Sequence, residues 1–314
     1  MFCICASHSP LMLVDMPDSQ PGRQRRFHDA IAEAKLQVDR FDPELVVVFA
    51  PDHFNGLFLD MMPAFCIPTQ AVSTRDWGLP DGPLNIPEQL ALDMIAAVRA
   101  ENIDVAISRR MKVDHGTTIP LHMLAGGLGR FEVLPVVINC AAEPRPSFAR
   151  VRMLGEAIGR YLGTLDKRIL IIGSGGLSHD PPTPRLEKVS DDVATRLIDR
   201  HVASADELKK REDRVVAAAN ALVNGSGPCM APDLDWDKEF LMRLMGGDFN
   251  ALDSYTDAEL DRHAGFGSHE VRCWVAAFAA MSIVDEVQPE LSFHEVIPEW
   301  VTGMAVLSLT HKAV

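Results

Sequence analysis

The chain has 314 residues, of which 47% are hydrophobic, enough to bury a large core in one or two domains. Lys and Arg number 30 against 44 Asp and Glu, a formal charge of −14. A surface of that sign repels phosphate backbones and anionic lipid. Nucleic acid and membrane are therefore excluded as partners, and a small molecule is left.

The N-terminal MFCICASHSP has no positive segment ahead of its apolar residues and does not read as a signal peptide. Within it, "FCICA" (2–6) reads as a strand, with Cys3 and Cys5 on one face, pointing into the core. A helix follows near 23–41, where Phe27, Ala30, Ile31, Ala34, Val38 and Phe41 share one face. "LVVVFA" (45–50) reads as the next strand. The segment 63–87 is rich in Pro and Gly and reads as irregular, with a helix starting at Pro87, a favoured first helical position. "DVAIS" (104–108) and "VLPVVIN" (133–139) read as further strands. Leu154, Ala157, Ile158, Tyr161 and Leu162 then mark a helix that stops at Gly163, and "RILIIGSGG" (168–176) reads as a strand and its exit loop.

From about 187 to 284 the pattern is mostly helical, as in "WDKEFLMRLMGG", with "NGSGP" (224–228) marking a loop. The apolar stretch "VRCWVAAFAAMSIV" falls short of the roughly 20 residues a membrane helix needs and carries Arg272, so it reads as a buried helix. The six cysteines show no CxxC spacing and are expected to be free and buried, as in a cytoplasmic protein. Near-continuous apolar strands are covered on both faces. The expected architecture is therefore a single α/β domain spanning 1–314. Its central sheet is mostly parallel or mixed and covered by helices, with a helical elaboration in the C-terminal half.

In open α/β sheets, ligands bind beyond the carboxyl ends of the strands. His8 follows "FCICAS", His53 follows "VVVFAPD", His179 ends "ILIIGSGGLSH", and His115 in "KVDHG" lies a few residues beyond "DVAIS". All four adjoin turn formers. For any one of them the ordinary alternative is a hydrogen-bonded structural histidine, in a chain with 11 histidines. Four at equivalent places point to one shared edge. His28, His201 and His263 fall in helical patterns and read as solvated, and His122 as a packing or capping residue. His294 and His311 lie in weakly patterned regions and receive no role.

"GSHEVRCWVAAF" (267–278) places Glu270 at the start of an apolar helix. A carboxylate there commonly just complements the helix dipole. Beside a buried helix it can instead project into a site, and two imidazoles with one carboxylate form the facial triad of non-haem Fe(II) oxygenases. Competing motifs fail. His269-Glu270 lacks the second histidine of HExxH, no GxSxG is present, and "GSGGLS" departs from GxGxxG at Ser178 and runs into His-Asp-Pro-Pro.

Taken together, "ASHSPL" (6–11), "ELVVVFAPDHFNG" (44–56), "VDHG" (113–116), "GSGGLSH" (173–179), "SHEVRCWVAAFAA" (268–280) and "IPEW" (297–300) make the chain resemble the class III extradiol catechol dioxygenases. That superfamily includes the catalytic subunit of protocatechuate 4,5-dioxygenase. The resemblance implies that His8, His53 and Glu270 bind Fe(II). It further implies that His115 and His179 are an acid–base pair, with His179 taken as base and His115 as acid, and that O2 is co-substrate. It also implies a 3-substituted catechol as substrate, closest to one with a carboxyethyl side chain, and a homo-oligomer. Arg109, Arg110 and Lys112 are candidates for the side-chain carboxylate, with ordinary solvated charge as the alternative, and none is assigned. Two rivals remain: a zinc hydrolase using the same ligands, which would work without O2, and a non-catalytic metal-binding scaffold, against which the presence of both His115 and His179 speaks.

Overall fold

The computed structural model describes residues 1–201 and 203–312. Among these residues the strands are β1 (Phe2–Ala6), β2 (Leu45–Ala50), β3 (Phe65–Pro68), β4 (Ala71–Ser73), β5 (Ala106–Ser108), β6 (Met111–Val113), β7 (Glu132–Ile138), β8 (Ile169–Ser174), β9 (Val287–Ile297) and β10 (Thr302–His311). The helices are α1 (Arg23–Phe41), α2 (Glu88–Ala100), α3 (His115–Ala125), α4 (Phe148–Leu162), α5 (Asp191–Ile198), α6 (Ala205–Val223), α7 (Leu234–Met245), α8 (Phe249–Asp253), α9 (Asp257–His263) and α10 (Val271–Ser282).

Eight strands form one mixed sheet in the order β5-β3-β7-β2-β8-β1-β10-β9, and β4 and β6 pair separately. The centre, β7-β2-β8-β1, is parallel, while β10 and β9 continue it antiparallel. Every residue of β1, β2 and β8 is buried. This is the signature of strands with helices on both faces. Side chains alternate between two cores: Cys3, Cys5, Val47, Phe49 and Ile171 face α4 and α10, whereas Ile4, Val46, Val48 and Ile172 face α1 and α3. Each large aliphatic side chain so removed from water contributes about 1.5–3 kcal/mol.

The chain reaches α4 through Ser147, whose side chain accepts a hydrogen bond from the Arg150 backbone N–H, and leaves it at Gly163. Helix α10 is buried from Val271 to Met281 and lies across β1, β2 and β8. Its one charged residue, Arg272, is neutralised in place: the guanidinium donates to Asp257 at 2.6 Å and to the Pro146 carbonyl at 2.9 Å. Among the described residues no helix is long and apolar enough to cross a membrane. All six cysteines are free and buried.

The expected elements recur with local differences. The 63–87 segment, read as irregular, holds the short strands β3 and β4. Pro87 caps α2 from outside rather than opening it, and "DVAIS" contributes only its last three residues to β5. His201 lies in the connection before α6, bonded to Glu207 at 3.0 Å, not within a helix. His294 and His311 belong to β9 and β10, two strands that the weak patterning concealed.

Candidate active site

Parallel strands β1, β2 and β8 all end at the same edge, and each hands a histidine to it. His8 follows β1 by two residues, His53 follows β2 by three, and His179 follows β8 by five. His115 arrives differently, as the first residue of α3, just after β6. Glu270 comes from the opposite direction, at the end of the 3-10 turn Phe266–Glu270 that runs into α10. All five line one cavity of about 470 Å³.

Local chemistry fixes the loops. After β2, the Asp52 carboxylate accepts hydrogen bonds from the backbone N–H groups of Asn55, Gly56 and Leu57 at 2.7–3.2 Å, winding Pro51–Leu57 into a tight turn. Burial, with the neighbouring Asp114 charge, pushes the Asp52 carboxyl up to about 7. Asp114 caps α3 through Gly116 N–H at 3.0 Å, and its other oxygen accepts from the His53 backbone N–H at 2.8 Å and from the Asn55 side chain at 2.9 Å.

The hydrogen bonds behind the imidazoles decide which nitrogen faces the cavity. Ser174 Oγ donates to the Gly116 carbonyl at 2.7 Å, so it must accept from His8 Nδ1 at 2.9 Å, leaving His8 Nε2 with a free lone pair. His53 Nδ1 lies 3.2 Å from buried Asp114, and its Nε2 is 2.9 Å from Glu270 Oε1. His179 Nδ1 donates to the Leu177 carbonyl at 2.8 Å, and its Nε2 is 3.6 Å from Glu270 Oε1. His115 Nδ1 is held at 2.5 Å by buried Asp76, which also accepts from the Thr74 hydroxyl at 3.0 Å. The His53 and His115 rings stack with centroids 4.2 Å apart.

Glu270 is the hub. Besides His53, it lies 3.7 Å from His8 Nε2 and accepts from the Gly176 backbone N–H at 2.9 Å. Burial alone would raise its pKa, but His179 and His8 outweigh burial and hold the carboxyl well below its usual range. For His8 burial outweighs the opposing pull of the Glu270 charge and lowers its pKa to about 3. Burial also opposes charge on His53 and His179, yet Asp114 and Glu270 reverse the balance and raise His53, and Glu270 does so for His179. Imidazole nitrogens facing a buried carboxylate are a donor set for a divalent Fe or Zn ion, which His53 joins by giving up a proton to the solvent as the metal binds.

Ligand atoms of His8, His53 and His115 also lie within 4.8 Å of one another, as do those of Asp76, Asp114 and His115. The five residues singled out from sequence are thus brought together, and two carboxylates behind them, Asp76 and Asp114, escaped that reading. Asp114 stands inside the quoted "VDHG" with no role given to it. Asp76 lies in the segment read as irregular, where no periodicity marks it. Of the cations considered for a substrate carboxylate, Arg109 pairs with Glu88 at 3.0 Å on the surface, Arg110 and Lys112 are exposed, and none lines the cavity.

The family model described as the catalytic LigB subunit of aromatic ring-opening dioxygenase matches residues 2–305. The chain is 42% identical to a protein of Photorhabdus laumondii over 97% of this chain and 96% of that one. It is 43% identical to one of Cupriavidus pinatubonensis over 99% and 98%, and 44% identical to one of Paraburkholderia xenovorans over 95% and 93%. Each of these relatives is named 2,3-dihydroxyphenylpropionate/2,3-dihydroxicinnamic acid 1,2-dioxygenase.

Proposed function

Because the chain belongs to the family of catalytic LigB subunits of aromatic ring-opening dioxygenases, we propose that it opens the ring of a 3-substituted catechol outside the diol, with Fe(II) and O2. The side chain we assign to that catechol is the carboxylated three-carbon chain of 2,3-dihydroxyphenylpropionate or its cinnamate counterpart, the substrates in the names of its relatives. The observation that carries the reading is the Glu270 carboxylate, buried against His8 and His53 at one end of the cavity.

In this reading His8, His53 and Glu270 are the iron ligands. The two imidazoles have their Nδ1 atoms engaged by Ser174 and Asp114 and so offer Nε2, and Glu270 adds the negative charge that favours a divalent ion. Fe(II) held by these three residues would supply the Lewis acidity that draws the catechol oxygens and the redox chemistry that O2 requires. His179 takes a catechol hydroxyl proton at Nε2, since its Nδ1 proton is committed to the Leu177 carbonyl. His115, oriented by Asp76, holds the proton delivered when the ring is broken. Phe54, Leu197 and Val193 add apolar surface to the cavity lining.

One observation favours a second ligand set: the mutual approach of His8, His53 and His115. Replacing His115 by Ala separates the two. As an acid, its loss leaves iron content unchanged and cuts turnover by roughly 10²–10⁴-fold; as a ligand, its loss empties the site of iron.

The whole chain is proposed to act as one catalytic domain, supported by the pairing of its first strand with its last. Action in the cytoplasm, supported by the six free cysteines, and a homo-oligomer belong to the same proposal; light scattering on the purified protein tests the assembly. The deciding experiment is oxygen uptake by Fe(II)-reconstituted protein given 2,3-dihydroxyphenylpropionate. Stoichiometric uptake with a yellow ring-opened product is expected. Turnover that proceeds without O2 would replace the reading with metal-assisted hydrolysis.

A further inference from the structure

One wall of the cavity is made by α5 and α6, a stretch whose DELKKREDR run looks like solvated charge. Four cations from these helices line it, Arg196, Lys210, Arg211 and Arg214, against two carboxylates, Glu207 and Glu212. Both carboxylates are engaged. Glu207 accepts from the Ser204 backbone N–H at 2.8 Å and from His201 at 3.0 Å, with Arg196 at 3.7 Å. Glu212 accepts from the Trp77 backbone N–H at 2.9 Å. Arg211 is half-buried, and among the described residues no carboxylate forms an ion pair with it, with Arg214 or with Lys210. Burial and the nearby Arg214 guanidinium both disfavour its charge, only partly offset by Glu207. A half-buried guanidinium crowded by like charge gains most from an incoming anion, and its planar fork matches a carboxylate.

We propose that Arg211, flanked by Arg196 and Arg214, is a carboxylate subsite that reads the side chain of a 3-substituted catechol whose ring oxygens lie at the His8–His53–Glu270 end of the same cavity. The proposal rests on the ring-opening reading for its substrate and adds to it the residues that select among catechols. A cavity of about 470 Å³ falls within the range of sites for molecules larger than a bare ring. Two positive charges in excess on this wall, in a chain of net charge −14, concentrate an anion where the rest of the surface repels it.

The test compares kcat/KM for 2,3-dihydroxyphenylpropionate with that for uncharged 3-propylcatechol in the Fe(II)-reconstituted protein and its Arg211→Gln and Arg211→Lys variants. The ratio is expected to fall by roughly 10–100-fold in Arg211→Gln, the range for losing a hydrogen bond to a charged group, mostly through KM, with partial recovery in Arg211→Lys. An unchanged ratio overturns the subsite. Calorimetric binding of 3-phenylpropionate, which has the side chain but no hydroxyls, reads the same subsite without turnover, with 3-phenylpropanol as the uncharged control. If no catechol is cleaved yet 3-phenylpropionate binding depends on Arg211, the subsite stands and the ring-opening reading falls. If cleavage proceeds but ratio and binding ignore Arg211, the reverse holds. Arg214→Gln, at an exposed position on the same helix, serves should Arg211→Gln misfold, and the ratio is expected to move in the same direction.

Discussion

Each imidazole at this site is held from behind by a different kind of group: a hydroxyl for His8, carboxylates for His53 and His115, a backbone carbonyl for His179. Asp76→Asn keeps a hydrogen-bonding group against His115 but removes the charge, so turnover is expected to drop roughly 10–100-fold with iron content intact. Measuring both quantities on one preparation checks it, and iron loss would show that Asp76 supports the ligands instead. Gly267 lies against the His179 ring, where a Cβ would overlap the imidazole. Gly267→Ala is therefore expected to displace His179 and cost about 100-fold in kcat, with thermal stability changed far less than activity. At this scale the sequence was readable where a histidine follows a buried strand and a turn. It was silent about Asp76, which has no neighbours of regular period and whose position depends on left-handed backbone at Arg75 and Trp77. Arg211 was hidden for the opposite reason, since a cation in a charged helix looks solvated until the cavity beside it is known.

Among elements, α4 and α10 approach each other closely, and Gly155 and Gly159 lie directly against the backbone of Ala276 and Ala280. Adding even a methyl group there forces the helices apart. Gly155→Ala is expected to cost about 1–3 kcal/mol, read as a lowered midpoint in urea, and a neutral result would show that α10 can shift without loss. Because Glu270 immediately precedes α10, the same variant is expected to lower iron affinity. Strands buried on both faces announced themselves as unbroken apolar runs. β3, β4 and β6 were too short to leave a pattern. β9 is an edge strand exposed along much of its length and interrupted by Pro289, so it carries neither an apolar run nor clean alternation.

At the level of the whole molecule, the parallel centre of the sheet is bounded on one side by strands from the end of the chain, and Ser7 exchanges hydrogen bonds with Gly303 and Ala305. Unfolding is expected to be a single transition, with far-UV circular dichroism and tryptophan fluorescence coinciding in urea. A chain cut before Val287 is expected to be insoluble, because it bares the hydrogen-bonding edge of β1; a soluble, folded fragment would mean the first eight strands are self-sufficient. The pairing also sets an order of events during synthesis. His8 is made long before Glu270 and before the strand that walls the cavity at Thr302. A nascent chain therefore carries the early histidines without a closed cavity until β10 has been made, and a metal held by the proposed ligands is expected to enter only after that point.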